Sequence, residues 1–361
     1  MKHNSSDIII LGGGLTGLTL AYLLRAQEVK VHILEAKERL GGRIYTKYPE
    51  NLAPQEMGAT WLGKKHTALV ALLAELQLGI FEQRMEDRAI YEAISTSPPQ
   101  LVTLPHNPEP SYRIQGGTSR LIEALTNQLE GTEIFTGQIV EAIEKTAEGF
   151  QVNANLQTFT APILVSTLPP HLLTQKIQFT PALPDALLAV ASQTHTWMGE
   201  SIKVSLTYEA PFWRASNLSG TLFSNAGPIT EMYDHSNVED NTYALKGFLN
   251  GAYYAATKEE RLAVIMGQLR KYYGPQIEKF VTYEEAIWRE DPFVFFPYPA
   301  HVLPHQNNGH ELYRRTYLDG KFFVAGSETA AQFPGYMEGA VRSANFVAKA
   351  LTAHFSVSKA N

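Results

Sequence analysis

Three glycines near the start of the chain have the type and spacing needed to hold a phosphate. In the run GGGLTG, Gly12, Gly14 and Gly17 form the pattern G-x-G-x-x-G. The first permits a tight turn, the second lets the backbone approach a pyrophosphate, and the third lets a helix pack closely on a strand. A helix starting at Leu15 and Thr16 would direct free N–H groups and the positive end of its dipole at the phosphates. This stretch therefore predicts a dinucleotide site.

An acidic residue follows at the distance that such a site requires. Glu35 ends the apolar segment KVHIL and precedes Ala36, about 20 residues beyond the glycine motif. A carboxylate at the end of this strand can accept hydrogen bonds from both ribose hydroxyls of an adenosine. Its negative charge would repel a 2′-phosphate. We therefore predict that Glu35 and Ala36 contact the ribose.

A second glycine pair narrows the choice of cofactor. Gly41 and Gly42 precede Arg43 in LEAKERLGGRIYT, which lets the backbone come close again and places a guanidinium on a phosphate. A nicotinamide dehydrogenase does not need this second loop. The stretch resembles the extended fingerprint of FAD proteins of the glutathione-reductase-like superfamily, so FAD is the expected cofactor.

Segments along most of the chain resemble the flavin-containing amine oxidases, the monoamine and polyamine oxidase family. The most specific is FFVAGSETAAQFPGYMEGAVRSANFVA, which resembles the last flavin-binding segment of that family. The others occur in family order: EMGATWLG, GGTSRLIEALTNQL with QIVEAIEK, LVSTLPP and GESIKVSLTYEAPFW. In this family a hydride equivalent passes from the carbon beside nitrogen to the flavin, and the resulting imine hydrolyses. The resemblance implies an amine substrate and oxygen as the electron acceptor.

The resemblance also implies which further residues contact the cofactor. The protein would orient the substrate and control water, while the flavin carries out the difficult step. Beyond the glycine and ribose residues, the implied contacts lie in EMGATWLG, in QIVEAIEK and in the last segment; they are Gly58, Ala59, Thr60, Trp61, Val140, Glu328 and Met337.

Lys203 is the first of two candidate catalytic residues. In the family this lysine holds a water near the flavin N5 atom. In SIKVSLTY, however, Lys203 alternates with the apolar residues Ile202, Val204 and Leu206, and this alternation is also typical of a strand lysine that faces solvent. The catalytic role of Lys203 therefore depends on the resemblance.

Tyr336 is the second candidate, at the turn before a small-residue helix. The resemblance implies that its ring forms one wall of an aromatic cage, where ring electrons favour a nitrogen that gains positive charge. The alternative is a core tyrosine at a helix start. The opposite wall would come from IWREDPFVFFPYPAH, whose candidates are Phe293, Phe295, Phe296 and Tyr298.

These residues require an α/β fold: an FAD-binding, Rossmann-like domain of the glutathione-reductase type with an inserted α+β substrate domain on a mixed sheet. We expect the FAD-binding domain to comprise residues 2–78, 113–192 and 291–355, and the substrate domain 79–112 and 193–290. The mixed sheet would include SIKVSLTY, SGTLFSN and TYALKGFL. Residues 84–111, between ELQLGIFEQ and YRIQGGTS, are predicted to form a proline-rich loop where the resemblance implies a helical part of the substrate domain, which predicts a reduced lid and an open pocket.

Composition excludes several classes of function. The chain of 361 residues contains no cysteine, so disulfides, thiolate chemistry and a cysteine-linked flavin are excluded, and noncovalent FAD in a cytoplasmic protein is expected. A net charge of −6 argues against a nucleic-acid partner. The histidines lack metal-ligand spacing, so no metal is expected, and no apolar run is long enough for a membrane anchor.

Two other functions remain open from the sequence. An enzyme of the same fold could oxidise C–C bonds of a porphyrinogen or a polyene, and a relative with a reduced lid could be a non-catalytic flavoprotein. The GYMEG segment and Lys203 favour amine oxidation. The identity of the amine and the oligomeric state do not follow from the sequence.

Overall fold

The computed structural model describes residues 4–215 and 217–360, with residues 356–360 described as backbone only. Residues 2 and 3 of the predicted FAD-binding domain lie outside these ranges. The α-helices within them are α1 (Leu15–Leu24), α2 (Thr67–Glu75), α3 (Ser119–Thr126), α4 (Pro170–Lys176), α5 (Asp185–Ala191), α6 (Phe212–Ala215), α7 (Lys258–Tyr273) and α8 (Met337–Ala360).

A six-stranded sheet organises the nucleotide-binding part of the molecule. Five neighbouring strands are parallel and the last is antiparallel. In spatial order they are β10 (Thr132–Phe135), β3 (Val31–Leu34), β2 (Ile8–Leu11), β14 (Ile163–Ser166), β22 (Phe322–Val324) and β21 (Thr316–Tyr317). The strand order reverses between β2 and β14, which is where doubly wound sheets bind their ligands.

The strand–turn–helix unit predicted from the first glycine motif is present at the centre of this sheet. All four residues of β2 are buried, because elements cover both faces of a parallel sheet. Helix α1 is buried on nearly every side and packs against α8. The carboxyl ends of β2, β3 and β22 therefore meet at one edge, and they place Gly12, Glu35 and Gly326 there.

Smaller sheets flank this centre. A five-stranded sheet contains β1 (Asn4–Ser5), β13 (Gln157–Ala161), β12 (Phe150–Ala154), β11 (Val140–Lys145) and β15 (Gln178–Thr180). Two-stranded ladders join β4 (Thr46–Lys47) to β5 (Gln55–Glu56), and β6 (Ile80–Glu82) to β9 (Tyr112–Ile114).

A seven-stranded sheet forms the predicted substrate region. In spatial order its strands are β20 (Thr282–Ile287), β16 (Ile202–Tyr208), β19 (Tyr243–Leu249), β18 (Ile229–Asp234), β17 (Leu222–Ser224), β7 (Arg88–Glu92) and β8 (Gln100–Thr103). The β17–β7 pair is parallel and the others are antiparallel, so the sheet is mixed as predicted. Helix α7 packs on one face of it and starts with a capping box of Thr257 and Glu260.

The segment 84–111 differs from its sequence-based interpretation as a proline-rich loop. It contains the hairpin of β7 and β8, which extends the seven-stranded sheet by two strands. The prolines lie at the turn and after β8, where no ladder donor is needed. The sheet strands fall inside the predicted substrate-domain ranges, but the exact domain boundaries remain predictions.

Candidate active site

The first glycine loop has the form that a pyrophosphate requires. Gly12 has φ +102°, and a Cβ added at Gly17 would lie 2.1 Å from the Gly12 carbonyl oxygen, so only glycine permits this close approach of helix and turn. The N-terminus of α1 has no side-chain cap. Its free N–H groups are therefore available to an anion.

The second glycine loop lies directly beside the first. The Gly41 amide donates to the Gly13 carbonyl at 2.8 Å, and a Cβ added at Gly42 would lie 3.4 Å from the Cα of Gly14. Two stretches of backbone without side chains thus border one cradle next to an uncapped helix end. These features fit the pyrophosphate of FAD.

Glu35 lies at the edge of this cradle, at the end of β3. It is buried, and its carboxylate accepts hydrogen bonds from the Gly13 amide at 2.7 Å and the Lys37 amide at 2.9 Å. The loop before β11 runs alongside, because the Gln138 amide donates to the Glu35 carbonyl at 2.9 Å. The structure thus brings Val140, at the start of β11, into the region of the predicted ribose contact.

Arg43 has a protein partner that the sequence does not predict. The sequence placed its guanidinium on a phosphate, but here it makes a two-pronged ion pair with the buried Glu328, including an Nη2–Oε2 distance of 2.9 Å, and donates to the Ser327 hydroxyl. Burial would raise the pKa of Glu328, but the charge and hydrogen bonds of Arg43 outweigh it, so the pKa lies below its ordinary value. A phosphate contact by Arg43 remains a prediction.

Lys203 is buried, with 2% of its surface exposed. The alternative interpretation, that this lysine faces solvent, is therefore wrong. Its amine donates to the carbonyl of Gly58 and lies 3.5 Å from the Thr60 hydroxyl oxygen. The predicted catalytic lysine and the predicted flavin loop are therefore in direct contact. Burial lowers the pKa of Lys203 to about 8, and the charge of Glu56 opposes this shift only in part.

A second buried lysine and several aromatic rings surround Lys203. Lys246 on β19 is completely buried and donates to the Thr60 hydroxyl. Its amine lies 4.7 Å from the Trp61 ring centroid, and that of Lys203 lies 4.9 Å from the ring of Phe248. Tyr233 meets Trp61 edge to face at 5.3 Å.

Sequence reasoning missed Lys246, Phe248 and Tyr233. A signal for Lys246 was present, because it interrupts the apolar strand TYALKGFL in the way that Lys203 interrupts SIKVSLTY. A lysine is almost never fully buried without a partner. The sequence alone does not show which face of a strand is covered, so this signal became decisive only with the structure.

Tyr336 is not a core residue, since half of its surface is exposed. Its ring lies nearly parallel to that of His305, at 13° and a centroid distance of 6.3 Å, and the ring of Trp197 also stacks on that of His305. Met337 follows as the first residue of α8 and is 8% exposed. A cage role for Tyr336 remains a prediction.

The segment 293–298 does not supply the ring that stacks with Tyr336. Tyr298 stacks on His171 at 4.2 Å and donates its hydroxyl to the Thr194 carbonyl, while Phe295 packs edge to face against Tyr298. A wall of the cage contributed by this segment remains a prediction.

The described residues contain neither a metal site nor a membrane-spanning helix. Over residues 4–215 and 217–360, no cluster of three or more His, Cys, Asp or Glu side chains has the arrangement of a metal site. Over the same part of the chain, no helix combines the length and hydrophobicity needed to cross a membrane.

Comparisons with known proteins agree with this geometry. Residues 15–104 and 97–352 match the family model described as flavin containing amine oxidoreductase. The human amine oxidase [flavin-containing] B is 25% identical over 450 residues, covering 96% of this chain and 86% of the relative.

Solved structures show the same fold. Putrescine oxidase bound to putrescine matches with a TM-score of 0.83 and 23% identity, covering 97% of this chain and 99% of that one. Cyclohexylamine oxidase from Brevibacterium oxydans IH-35A matches with a TM-score of 0.82 and 19% identity, over 97% and 99% of the two chains.

Proposed function

Because the chain belongs to the family of flavin-containing amine oxidoreductases, we propose how its residues divide the work of oxidising an amine to an imine with oxygen as the electron acceptor. The protein is an enzyme, FAD is its cofactor, and amine oxidation is its reaction. When bound, the flavin supplies the acceptor for the hydride equivalent that leaves the carbon beside nitrogen. The remaining tasks fall to the protein.

The two glycine loops and the uncapped start of α1 would hold the pyrophosphate. Glu35 would bind the ribose, and the loop from Gly58 to Trp61 would pass the reactive ring, with Glu328 and Met337 on its other side. Because no cysteine is present, we propose that all these contacts are noncovalent. The absence of cysteine also supports a reducing, cytoplasmic location.

Lys203 would control water and protons next to the reacting atoms. Its amine donates to the Gly58 carbonyl and is buried on the face of the seven-stranded sheet opposite helix α7. A pKa of about 8 leaves part of the population uncharged near neutral pH, so the amine can exchange a proton with a bound water. A lysine with an ordinary pKa would remain charged and could only donate.

The rings of Trp61, Phe248 and Tyr233 would form an apolar wall around this amine. Such a wall disfavours the ammonium form of a substrate by desolvation, yet its ring faces stabilise positive charge that develops on nitrogen. This combination suits an amine that arrives uncharged and leaves as an iminium ion. Tyr336 would orient the substrate from the other side.

The contact between buried Lys203 and the Gly58 carbonyl is the observation that carries this proposal. Rapid mixing of the oxidised holoenzyme with a panel of amines tests it, and we expect loss of flavin absorbance with at least one small amine. Loss only with a porphyrinogen or a polyene would assign C–C oxidation instead, and no loss with any of these would indicate a non-catalytic flavoprotein.

Lys203→Met tests the residue. The variant should retain FAD but slow flavin reduction or reoxidation, and Lys349→Met, which removes an exposed lysine from α8, should leave both half-reactions unchanged. Wild-type rates in both half-reactions of Lys203→Met would remove the lysine from the mechanism.

A further inference from the structure

Two neighbouring strands of the seven-stranded sheet place two lysines beside the same hydroxyl group. Strand β16 pairs with β19 so that Ser205 lies opposite Lys246, and Lys203 is two residues from Ser205 on the same face. The amine of Lys246 donates to Thr60 Oγ1, and the amine of Lys203 lies 3.5 Å from the same atom. Because this hydroxyl donates its own hydrogen to the Gly58 carbonyl at 3.0 Å, it only accepts hydrogen bonds from the lysines.

Neither lysine forms an ion pair within the part of the chain that the structure describes. The nearest carboxylates already have other partners. Glu56 accepts from the Thr118 amide at 2.5 Å and the Thr46 hydroxyl at 2.8 Å, and Glu231 accepts from the Tyr233 hydroxyl at 2.6 Å. Two adjacent buried ammonium ions without a counter-ion would be strongly destabilising, so one of the two amines is uncharged at neutral pH.

The surroundings of the two amines differ in how well they stabilise a positive charge. The amine of Lys203 donates to the Gly58 carbonyl. Burial lowers the pKa of Lys203 only to about 8, because the charge of Glu56 and a hydrogen bond with Lys246 oppose the shift. Lys246 is completely buried, and burial, followed by the positive charges of Lys203 and Arg113, lowers its pKa well below the ordinary value against the attraction of Glu56. The proton therefore stays on Lys203.

We propose that Lys246 is an uncharged amine that accepts a hydrogen bond from the ammonium group of Lys203 and thereby keeps a positive charge at the candidate active site. Lys246 donates one hydrogen to the Thr60 hydroxyl, and its lone pair is available to Lys203. The proposal rests on the proposed role of Lys203 in amine oxidation. Lys246 is a positioning residue, because it acts on the reaction through Lys203.

The other titratable groups around the pair leave this assignment unchanged. His235, which follows β18, is buried, and its pKa is lowered far below the ordinary value by burial and then by the neighbouring arginine and both lysines, so it stays neutral. The carboxylate of Glu231 on β18 favours the charged form of Lys203. Glu284 on β20 forms an ion pair with Lys47 on β4.

The direction in which the titration of Lys203 moves tests the proposal, and NMR of the holoenzyme labelled with 13C at the lysine ε carbon measures it. In the wild type we expect one ε signal at the position of an uncharged amine at pH 7 and a second that titrates near pH 8. In Lys246→Met the first signal should disappear, and the second should titrate about one pH unit lower, the scale of one hydrogen bond to a charged group. Lys349→Met, at an exposed position on α8, should change neither.

Lys246→Gln is the matched variant, because its side-chain carbonyl supplies an uncharged acceptor. The uncharged signal should be missing from its spectrum, and Lys203 should titrate as in the wild type. A titration of Lys203 that moves to higher pH in Lys246→Met would show that Lys246 is charged and repels it, and an unchanged titration would show that the hydrogen bond contributes nothing. Either result overturns the proposal, as does an equal fall in Lys246→Gln.

If Lys246→Met does not fold, the wild type and Lys246→Gln decide the matter. The proposal is wrong if every lysine signal of the wild type has the position of an ammonium group at pH 7, or if the uncharged signal persists in Lys246→Gln. These readouts do not depend on turnover. They therefore remain valid if no amine reduces the flavin and the proposed function fails.

The pH dependence of flavin reduction provides the functional test. The change in rate that Lys203→Met abolishes should occur at lower pH in Lys246→Met, by the same interval as the NMR titration, and at the wild-type pH in Lys246→Gln. A rate that falls equally at every pH in Lys246→Met, with the profile in its original position, would indicate structural damage alone and overturn the proposal.

Discussion

The charged residues at this site each bind a small number of identifiable groups. Glu35 binds two backbone amides, Arg43 binds one buried carboxylate, and Lys203 binds one carbonyl. The types and positions of Glu35 and Lys203 could be predicted from sequence, because they depend on local spacing and on resemblance. The Arg43–Glu328 pair could not, because it joins residues nearly 300 positions apart, and no local pattern specifies such a contact.

Glu35→Ala should weaken FAD binding without altering the environment of the flavin once the site is saturated. Loss of hydrogen bonds to a charged group costs about 1.5–3 kcal/mol, or about ten- to a hundredfold in the dissociation constant. Titration of apoprotein with FAD measures this constant, and Glu38→Ala, at an exposed position three residues away, should bind as the wild type does. An unchanged constant for Glu35→Ala would remove the ribose contact.

Tyr336→Ala should slow flavin reduction with little effect on folding. Because half of the side chain is exposed, its removal should change stability by no more than about 0.5 kcal/mol, whereas a misplaced amine costs roughly a hundredfold in rate. Tyr336→Phe keeps the ring and should be mild. Single-turnover kinetics and thermal melts on both variants test this, and a normal reduction rate in Tyr336→Ala would argue against the cage.

At the scale of secondary-structure elements, the GYMEG segment provides a helix cap as well as Tyr336. Helix α2 has no side-chain cap of its own, and Glu338 in the first turn of α8 accepts from the Ala68 and Leu69 amides at 3.1 and 2.7 Å. The glutamate thereby docks α8 onto the start of α2. Helices α1 and α8 and strand β3 followed from local patterns, but β18 and β20, with the polar sequences ITEMYD and TYEEAI, did not, because tertiary pairing determines such strands.

Glu338→Ala should destabilise the protein by about 2 kcal/mol or more, since it removes a helix cap and buried hydrogen bonds to a charged group. Chemical denaturation measures the loss. Glu123→Ala is the matched control. Glu123 pairs with Arg120 on its own helix, as Glu338 pairs with Arg342, but Glu123 is exposed, so this substitution should cost less than about 1 kcal/mol. Equal losses in both variants would show that the cap contributes nothing.

The whole molecule joins its two sheet regions through contacts around the predicted flavin position. The Trp288 indole donates to the Met57 carbonyl at 2.8 Å, next to the Lys203–Gly58 contact, and Gln55 donates to the Thr282 hydroxyl at 3.1 Å, near the other end of β16. The cofactor would thus lie where the substrate sheet meets the nucleotide domain. The general architecture was predictable from the order of the motifs, but the β7–β8 hairpin was not, because its prolines are typical of a loop and its partner strand lies more than 100 residues away.

Removal of FAD should therefore lower the stability of both regions together. A ligand that binds only the folded state stabilises it by about 4.1 kcal/mol when its free concentration is a thousand times the dissociation constant, and by about 1.4 kcal/mol more for each further tenfold increase.

Acid precipitation should release all the flavin into the supernatant, because no cysteine can attach it. Refolded apoprotein should melt in one transition at a lower temperature, and added FAD should raise that temperature progressively. Flavin that remains in the pellet would reveal a covalent link through another residue, and a melting temperature that does not respond to FAD would show that the refolded apoprotein does not bind it.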